Sequence, residues 1–226
     1  MENIKGNLER IKREISTICA EVGRDPAEVR ILAATKTRTA DIIDYLDEYA
    51  LVDAIGENKV QEFREKYHAL RNIPWHFIGQ LQTNKVKYIV GKAILIHSVD
   101  RIELAREISR RAQAAGVVQD VLIEVNVGGE VQKGGVAPDD LDKLRSDIAA
   151  LPAIRVVGMM SVLPAAEPEV LEPLYIELQR LFESRRDDVF TVLSAGMSGD
   201  YAMAVRYGSN MIRLGTALFG ERIYTK

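Results

Sequence analysis

The spacing of hydrophobic positions changes repeatedly along this chain, and the changes are regular. From Asn3 to Val22 the apolar residues Ile4, Leu8, Ile11, Ile15 and Ile18 recur every three or four positions, which predicts an amphipathic helix ending at Gly23 and the Asp25-Pro26 turn. Short apolar runs then alternate with helical patterns. The runs Val29–Thr35, Leu51–Ile55, Trp75–Ile78, Ala93–His97, Val121–Val127, Ile154–Ser161, Phe190–Ser194 and Asn210–Leu214 predict eight strands. Between them Thr39–Tyr49, Asn58–Leu70, Thr83–Val90, Arg101–Ala115, Pro138–Leu151, Pro168–Ser184 and a short segment around Asp200–Tyr207 carry helical spacing, and a last turn begins at Thr216.

Strands separated by helices imply right-handed crossovers and a parallel sheet. Eight such units in 226 residues predict an α/β fold, a single closed (β/α)8 TIM barrel over residues 1–226 with one extra helix in front. An open doubly wound sheet is the alternative, but it carries GxGxxG after its first strand, where this chain reads Lys36-Thr37-Arg38. No linker, repeat or shift of composition divides the chain.

Composition narrows the chemistry. A formal net charge of −3 gives no general attraction to nucleic acid or an anionic membrane, so any anion site must be local. The single cysteine, Cys19, lies in a helical pattern as a small apolar residue, and His68, His76 and His97 lack metal-ligand spacing, so no metal is expected. Met1 to Arg13 form no signal-peptide core and no run of ~18 apolar residues occurs, which predicts a soluble cytoplasmic protein, with a monomer as the default state.

In a barrel the active site assembles where strands end and helices begin. The first strand ends on Lys36, and an amine at the mouth of a core strand is either a Schiff-base nucleophile or a cap that snorkels into solvent. The other strand ends are polar: Gly56-Glu57-Asn58, Gly79-Gln80 with Asn84-Lys85, His97-Ser98, Asn126, Met160-Ser161, Ser194 with Gly196-Met197-Ser198, and Arg213 with Gly215-Thr216. A small-residue turn after strand seven and a Gly-Thr after strand eight read either as the phosphate cradle of this fold or as a turn glycine beside an N-cap. A cradle facing a Schiff-base lysine suits pyridoxal 5′-phosphate (PLP) or a phosphosugar. Arg213, placed to reach a pyridine nitrogen, favours PLP.

Five ordered blocks carry a resemblance over nearly the whole chain: Ala33-Ala34-Thr35-Lys36-Thr37, Gly56 to Glu62, Trp75 to Lys85, Ser194 to Asp200, and Arg213 to Gly220. They resemble the signature blocks of the YggS/PROSC-type pyridoxal phosphate homeostasis proteins, which are similar to the fold type III barrel domain of alanine racemase without its second, β-rich domain. The resemblance implies that Lys36 forms the internal aldimine, that Ser198 with the Gly215 and Thr216 amides holds the phosphate, and that Arg213 faces the ring nitrogen. It also implies that Asn58 and Met160 line the cofactor and that His76 lies nearby, although a histidine opening an apolar strand also reads as a satisfied core residue. Two positions depart from the family pattern. Lys59 stands where a tyrosine is common, either to meet a ligand phosphate or as a solvated helix residue, and Met159 stands for a leucine.

The implied function is a PLP-binding protein of PLP homeostasis that holds the cofactor and releases it to apo-enzymes, without robust catalysis. Two other readings remain open: a weak PLP-dependent amino-acid racemase, and a Schiff-base aldolase on a phosphosugar using Glu57 or Lys85 as acid or base. A racemase needs a second base, and none of the eight tyrosines follows a strand end where it would face Lys36; Tyr201, in the loop after strand seven, comes nearest to doing so.

Overall fold

Eight parallel strands pair in chain order and close on themselves. The structure is a computed structural model that describes residues 2–67, 71–130 and 133–221. The strands are β1 (Arg30–Ala34), β2 (Ala54–Glu57), β3 (Trp75–Phe77), β4 (Leu95–Val99), β5 (Gln119–Glu124), β6 (Ile154–Met160), β7 (Val192–Ser194) and β8 (Met211–Leu214). Closure is made by β8 on β1, where Arg30 pairs with Met211 and Leu32 with Arg213. The helices are α1 (Glu2–Val22), α2 (Ala40–Glu48), α3 (Val60–Lys66), α4 (Ile102–Ala115), α5 (Leu141–Ala149), α6 (Pro168–Glu183), α7 (Tyr201–Arg206) and α8 (Thr216–Phe219).

Alternation along each strand builds two cores. Outward residues such as Ile31, Ala33, Ile55, Phe77 and Ile96 pack under the helices, while Leu32, Ala54, Leu95, Leu122, Met160, Val192 and Met211 fill the barrel interior. The five apolar residues of α1 are buried in the outer core. That helix packs on α7 and α8, and Asn7 Nδ2 donates to the Leu218 carbonyl at 3.0 Å. The extra helix thus lies across the seam where the barrel closes.

Two elements differ from the sequence reading in kind or position. The second strand runs Ala54–Glu57 rather than Leu51–Ile55, because Asp53 Oδ2 accepts the Ile31 amide at 2.7 Å and the β1 ladder begins only at Ala54. The segment Thr83–Tyr88 is a 3-10 helix, not an α-helix. Its wholly buried Val86 and the wholly buried Ile89 that caps its C-terminal end are three apart, a spacing that a three-residue turn places on one side. The α3 helix is also shorter than expected, and residues 68–70 of the expected helix, with His68, lie outside the described residues.

Candidate functional site

Lys36 stands two residues beyond the end of β1, half-buried at the C-terminal mouth of the barrel. The chain holds it from both sides. Thr35 extends the ladder, its amide donating to the Gly56 carbonyl at 3.0 Å, and its hydroxyl points outward to Glu57 Oε1 at 2.7 Å. Thr37 adopts a left-handed conformation, φ 64°, in which its amide donates to Glu62 Oε2 at 2.7 Å. Lys66 of α3 ties these together, reaching the Thr35 carbonyl, Glu57 Oε1 and Glu62 Oε2 at 3.0, 3.0 and 2.9 Å. A β-branched residue at positive φ is costly, and this network over-determines it. Lys36 itself makes no hydrogen bond or ion pair with another described residue.

Glu57, which the aldolase reading places in catalysis, is wholly buried between β2 and α3. Burial pushes its carboxyl above the usual range against the bonds from Thr35 and Lys66. Burial also pushes Glu62 up, but the Thr37 amide, Lys66 and Lys59 outweigh it and hold that carboxyl low. Glu57 serves the lysine loop from behind and not the mouth.

Arg213 lies inside the barrel on β8 and is 5% exposed. Its Nη1 donates to Ser194 Oγ and its Nη2 to the Ser161 carbonyl, both at 2.8 Å. The Ser194 hydroxyl lies 3.1 Å from His97 Nδ1, and His97 Nε2 lies 2.9 Å from His76 Nδ1. A buried polar chain thus runs down the barrel from Arg213. Burial drives both histidines toward the neutral form, His76 to about 3 and His97 well below its usual value. Burial likewise lowers the Arg213 pKa, an effect that Tyr175, Asp200 and Glu124 oppose.

After β7 and β8 the turns converge as the sequence implies. Ser198 Oγ accepts the amides of Gly215 and Ala217 at 3.1 and 3.0 Å. The amides of Ser198, Gly199 and Thr216 donate to no described residue, so this corner presents free N–H groups. Gly196, at φ 93°, lets the turn approach α7, since a Cβ there would meet that of Ala204 at 2.5 Å. Met160 closes β6 inside the barrel beside Leu32. Asn58 follows β2, with its Oδ1 buried and unpartnered, and is fixed from below by Gly79, whose Cβ would stand 2.0 Å from the Asn58 carbonyl oxygen.

His76 does not join this group. It is bound to His97 and lines a cavity of about 370 Å³ at the opposite end of the barrel with Arg30, Asp120 and Arg155. Its early place on β3 puts it below His97, away from Lys36. Tyr201 is likewise turned away, its hydroxyl donating to Glu14 Oε2 of α1 at 2.6 Å. Sequence reasoning missed the residues behind the site. Lys66 was signalled by its i,i+4 spacing from Glu62, and Ser194, Ser161 and His97 by polarity at strand ends, but no local signal linked them to Arg213.

Glu124, the last residue of β5, was also missed. It is 7% exposed, its Oε2 has no partner among the described residues, and burial together with Asp100 raises its carboxyl to about 7 against the pull of Arg213.

Comparison with known proteins decides the family. The alanine racemase N-terminal domain family matches residues 6–223. The chain belongs to that family. It is 44% identical over 223 residues to the pyridoxal phosphate homeostasis protein of Aquifex aeolicus, covering 96% of this chain and 97% of that one. It is 34% identical over 240 residues to the Escherichia coli protein of the same name, along the whole of both chains. Among solved structures, PipY of Synechococcus elongatus with PLP bound superposes with a TM-score of 0.76 at 29% identity, over 91% of this chain and 100% of PipY. Alanine racemase of Clostridium difficile shares the fold alone, with a TM-score of 0.79 at 16% identity over 98% of this chain and 57% of the racemase. Among the described residues no helix is long and apolar enough to cross a membrane.

Proposed function

We propose that this protein binds PLP at the barrel mouth and serves PLP homeostasis, holding the cofactor on Lys36 and releasing it to apo-enzymes in the cytoplasm. The observation that carries the reading is an unpartnered, half-buried amine at the mouth that also receives Arg213 and the free amides after β7 and β8.

The residues fit the cofactor's three functional groups. PLP supplies, when bound, an electrophilic aldehyde conjugated to a pyridine ring. Lys36 provides the amine for covalent attachment, and its clamped neighbours Thr35 and Thr37 keep that amine at the mouth. The amides of Ser198, Gly199 and Thr216 receive the phosphate, with the Ser198 hydroxyl between them and the Gly215 and Ala217 amides. Arg213, with N–H groups left over from its bonds to Ser194 and Ser161, would meet the ring nitrogen, and since a guanidinium is a poor proton donor it would leave that nitrogen unprotonated. Asn58 and Met160 flank the ring.

An absorbance spectrum with added PLP, followed by borohydride reduction and peptide mass mapping, tests the reading. The expected result is a reduced pyridoxyl adduct on Lys36 that is absent from Lys36→Ala. No band and no adduct would overturn the function, and an adduct that survives in Lys36→Ala would move attachment to a neighbour such as Lys59 or Lys85.

A further inference from the structure

Beside the mouth, on its β2–β3 side, lies a second concavity of about 340 Å³, within the range of roughly 300–1,000 Å³ typical of ligand clefts. Its lining includes Asn58, Lys59, Arg64, Gln82, Lys85 and Tyr88, and no carboxylate. Three cations therefore face one space. Several cations elsewhere are paired, as Arg71 with Asp44, Arg155 with Asp120 and Arg185 with Asp142. Lys59, Arg64 and Lys85 form no ion pair with another described residue. Lys59 does feel Glu62, but Glu62 Oε2 is already held by Lys66 and the Thr37 amide.

Converging like charges raise the free energy of the folded protein unless an anion joins them. One of the three cations rests on an aromatic ring. The Arg64 guanidinium lies over the Tyr88 ring at 4.3 Å, and Asn58, which follows β2, lines the concavity with a buried Oδ1 that has no partner among the described residues. A chain with a net charge of −3 thus concentrates uncompensated positive charge next to the site where a phosphorylated ligand docks.

We propose that this concavity is a second, non-covalent subsite for a phosphate monoester, a vestibule in which the cofactor's phosphate is held before or after its occupancy of the mouth. Arg64 and the two lysines contact the phosphate, and the Tyr88 ring and the glutamine amide contact the rest of the ligand. The inference rests on the proposed attachment at Lys36, and the two fail separately.

The test uses protein whose PLP adduct has been reduced with borohydride, so that Lys36 is blocked. Calorimetric titration of this protein with phenyl phosphate is expected to show one further site per chain that weakens as salt is raised. The triple variant Lys59→Gln, Arg64→Gln, Lys85→Gln loses about tenfold or more in affinity, each exposed pair contributing up to ~1 kcal/mol, while its thermal midpoint stays near that of the parent. Lys85→Gln alone, at an exposed position, gives a partial loss and guards against a folding failure of the triple variant. Absence of a second site in reduced protein, or equal affinity in the triple variant, would overturn the proposal. Binding of an oligoglutamate peptide but not of phenyl phosphate would also overturn it, in favour of an acidic protein segment. Failure to form the Lys36 adduct at all would instead sink the proposed function.

Discussion

Glu124 and the two barrel histidines show how burial converts single residues into pH responses. The Glu124 carboxyl rises from 4.5 to about 7 because its charged form is buried and faces Asp100. Between those values the folded protein holds a proton that the unfolded chain releases, so stability falls as pH rises from 4.5 to 7, by roughly 3 kcal/mol. Glu124→Gln is expected to remove this slope, read from urea midpoints at pH 5 and pH 8. His76 and His97 act in the opposite sense, since their pKa values lie below 6.5 in the fold. Their contribution is complete above pH 6.5 and is lost as pH falls toward about 3, because only the unfolded chain takes up the protons. In Glu124→Gln the acid side of the profile is therefore steeper than in the parent. At the same scale, Ser198→Ala leaves the Gly215 and Ala217 amides without their acceptor. PLP dissociation is expected to quicken by about tenfold or less, the equivalent of about 1 kcal/mol for one hydrogen bond, in a stopped-flow chase.

The element scale governs where the site residues stand. The loop carrying Lys36 is held by α3 through Lys66, so the geometry of that loop is fixed by a helix some thirty residues further along the chain. Lys66→Met strips Glu57 of its only cationic partner among the described residues and leaves a buried carboxylate bonded to Thr35, an expected loss of about 3–5 kcal/mol in urea unfolding. The end of β3 has a comparable constraint. A Cβ at position 79 would stand 2.0 Å from the Asn58 carbonyl oxygen, which is backbone and has no rotamer to change. Gly79→Ala is expected to push Asn58 and β3 apart, lowering the thermal midpoint and weakening PLP binding together, whereas Gly6→Ala on α1, with open space around it, changes neither by clash.

For the molecule as a whole, the closing seam is where a barrel is most exposed to failure, and here α1 covers it. Ile4, Leu8, Ile11, Ile15 and Ile18 are all buried there. At about 1.5–3 kcal/mol for each such side chain, their burial reaches the order of the entire stability of a domain, roughly 5–15 kcal/mol. Removal of residues 1–24 is therefore expected to abolish cooperative unfolding, seen as loss of near-ultraviolet circular dichroism and of a sharp melt. The helix also ties together the helices that follow β7 and β8, through Asn7 to α8 and Glu14 to α7.

Continuous apolar runs and period-three-to-four hydrophobic spacing are local properties, and they were enough to mark eight strands, most of the helices between them, the barrel and the lysine just beyond the first strand, because each strand must bury both faces and each helix one. The motif blocks likewise carried the family and the cofactor. The tertiary structure decided what depends on proximity between distant segments. It placed His76 below His97 and away from the mouth, turned Tyr201 to Glu14, and put Glu57 behind the lysine loop. It also assembled the Arg213 anchor from β6 to β8 and grouped Lys59, Arg64 and Lys85 around one space. Hydrogen bonds and electrostatic fields act over a few ångströms in space, and closure of the barrel sets those separations; spacing along the chain does not.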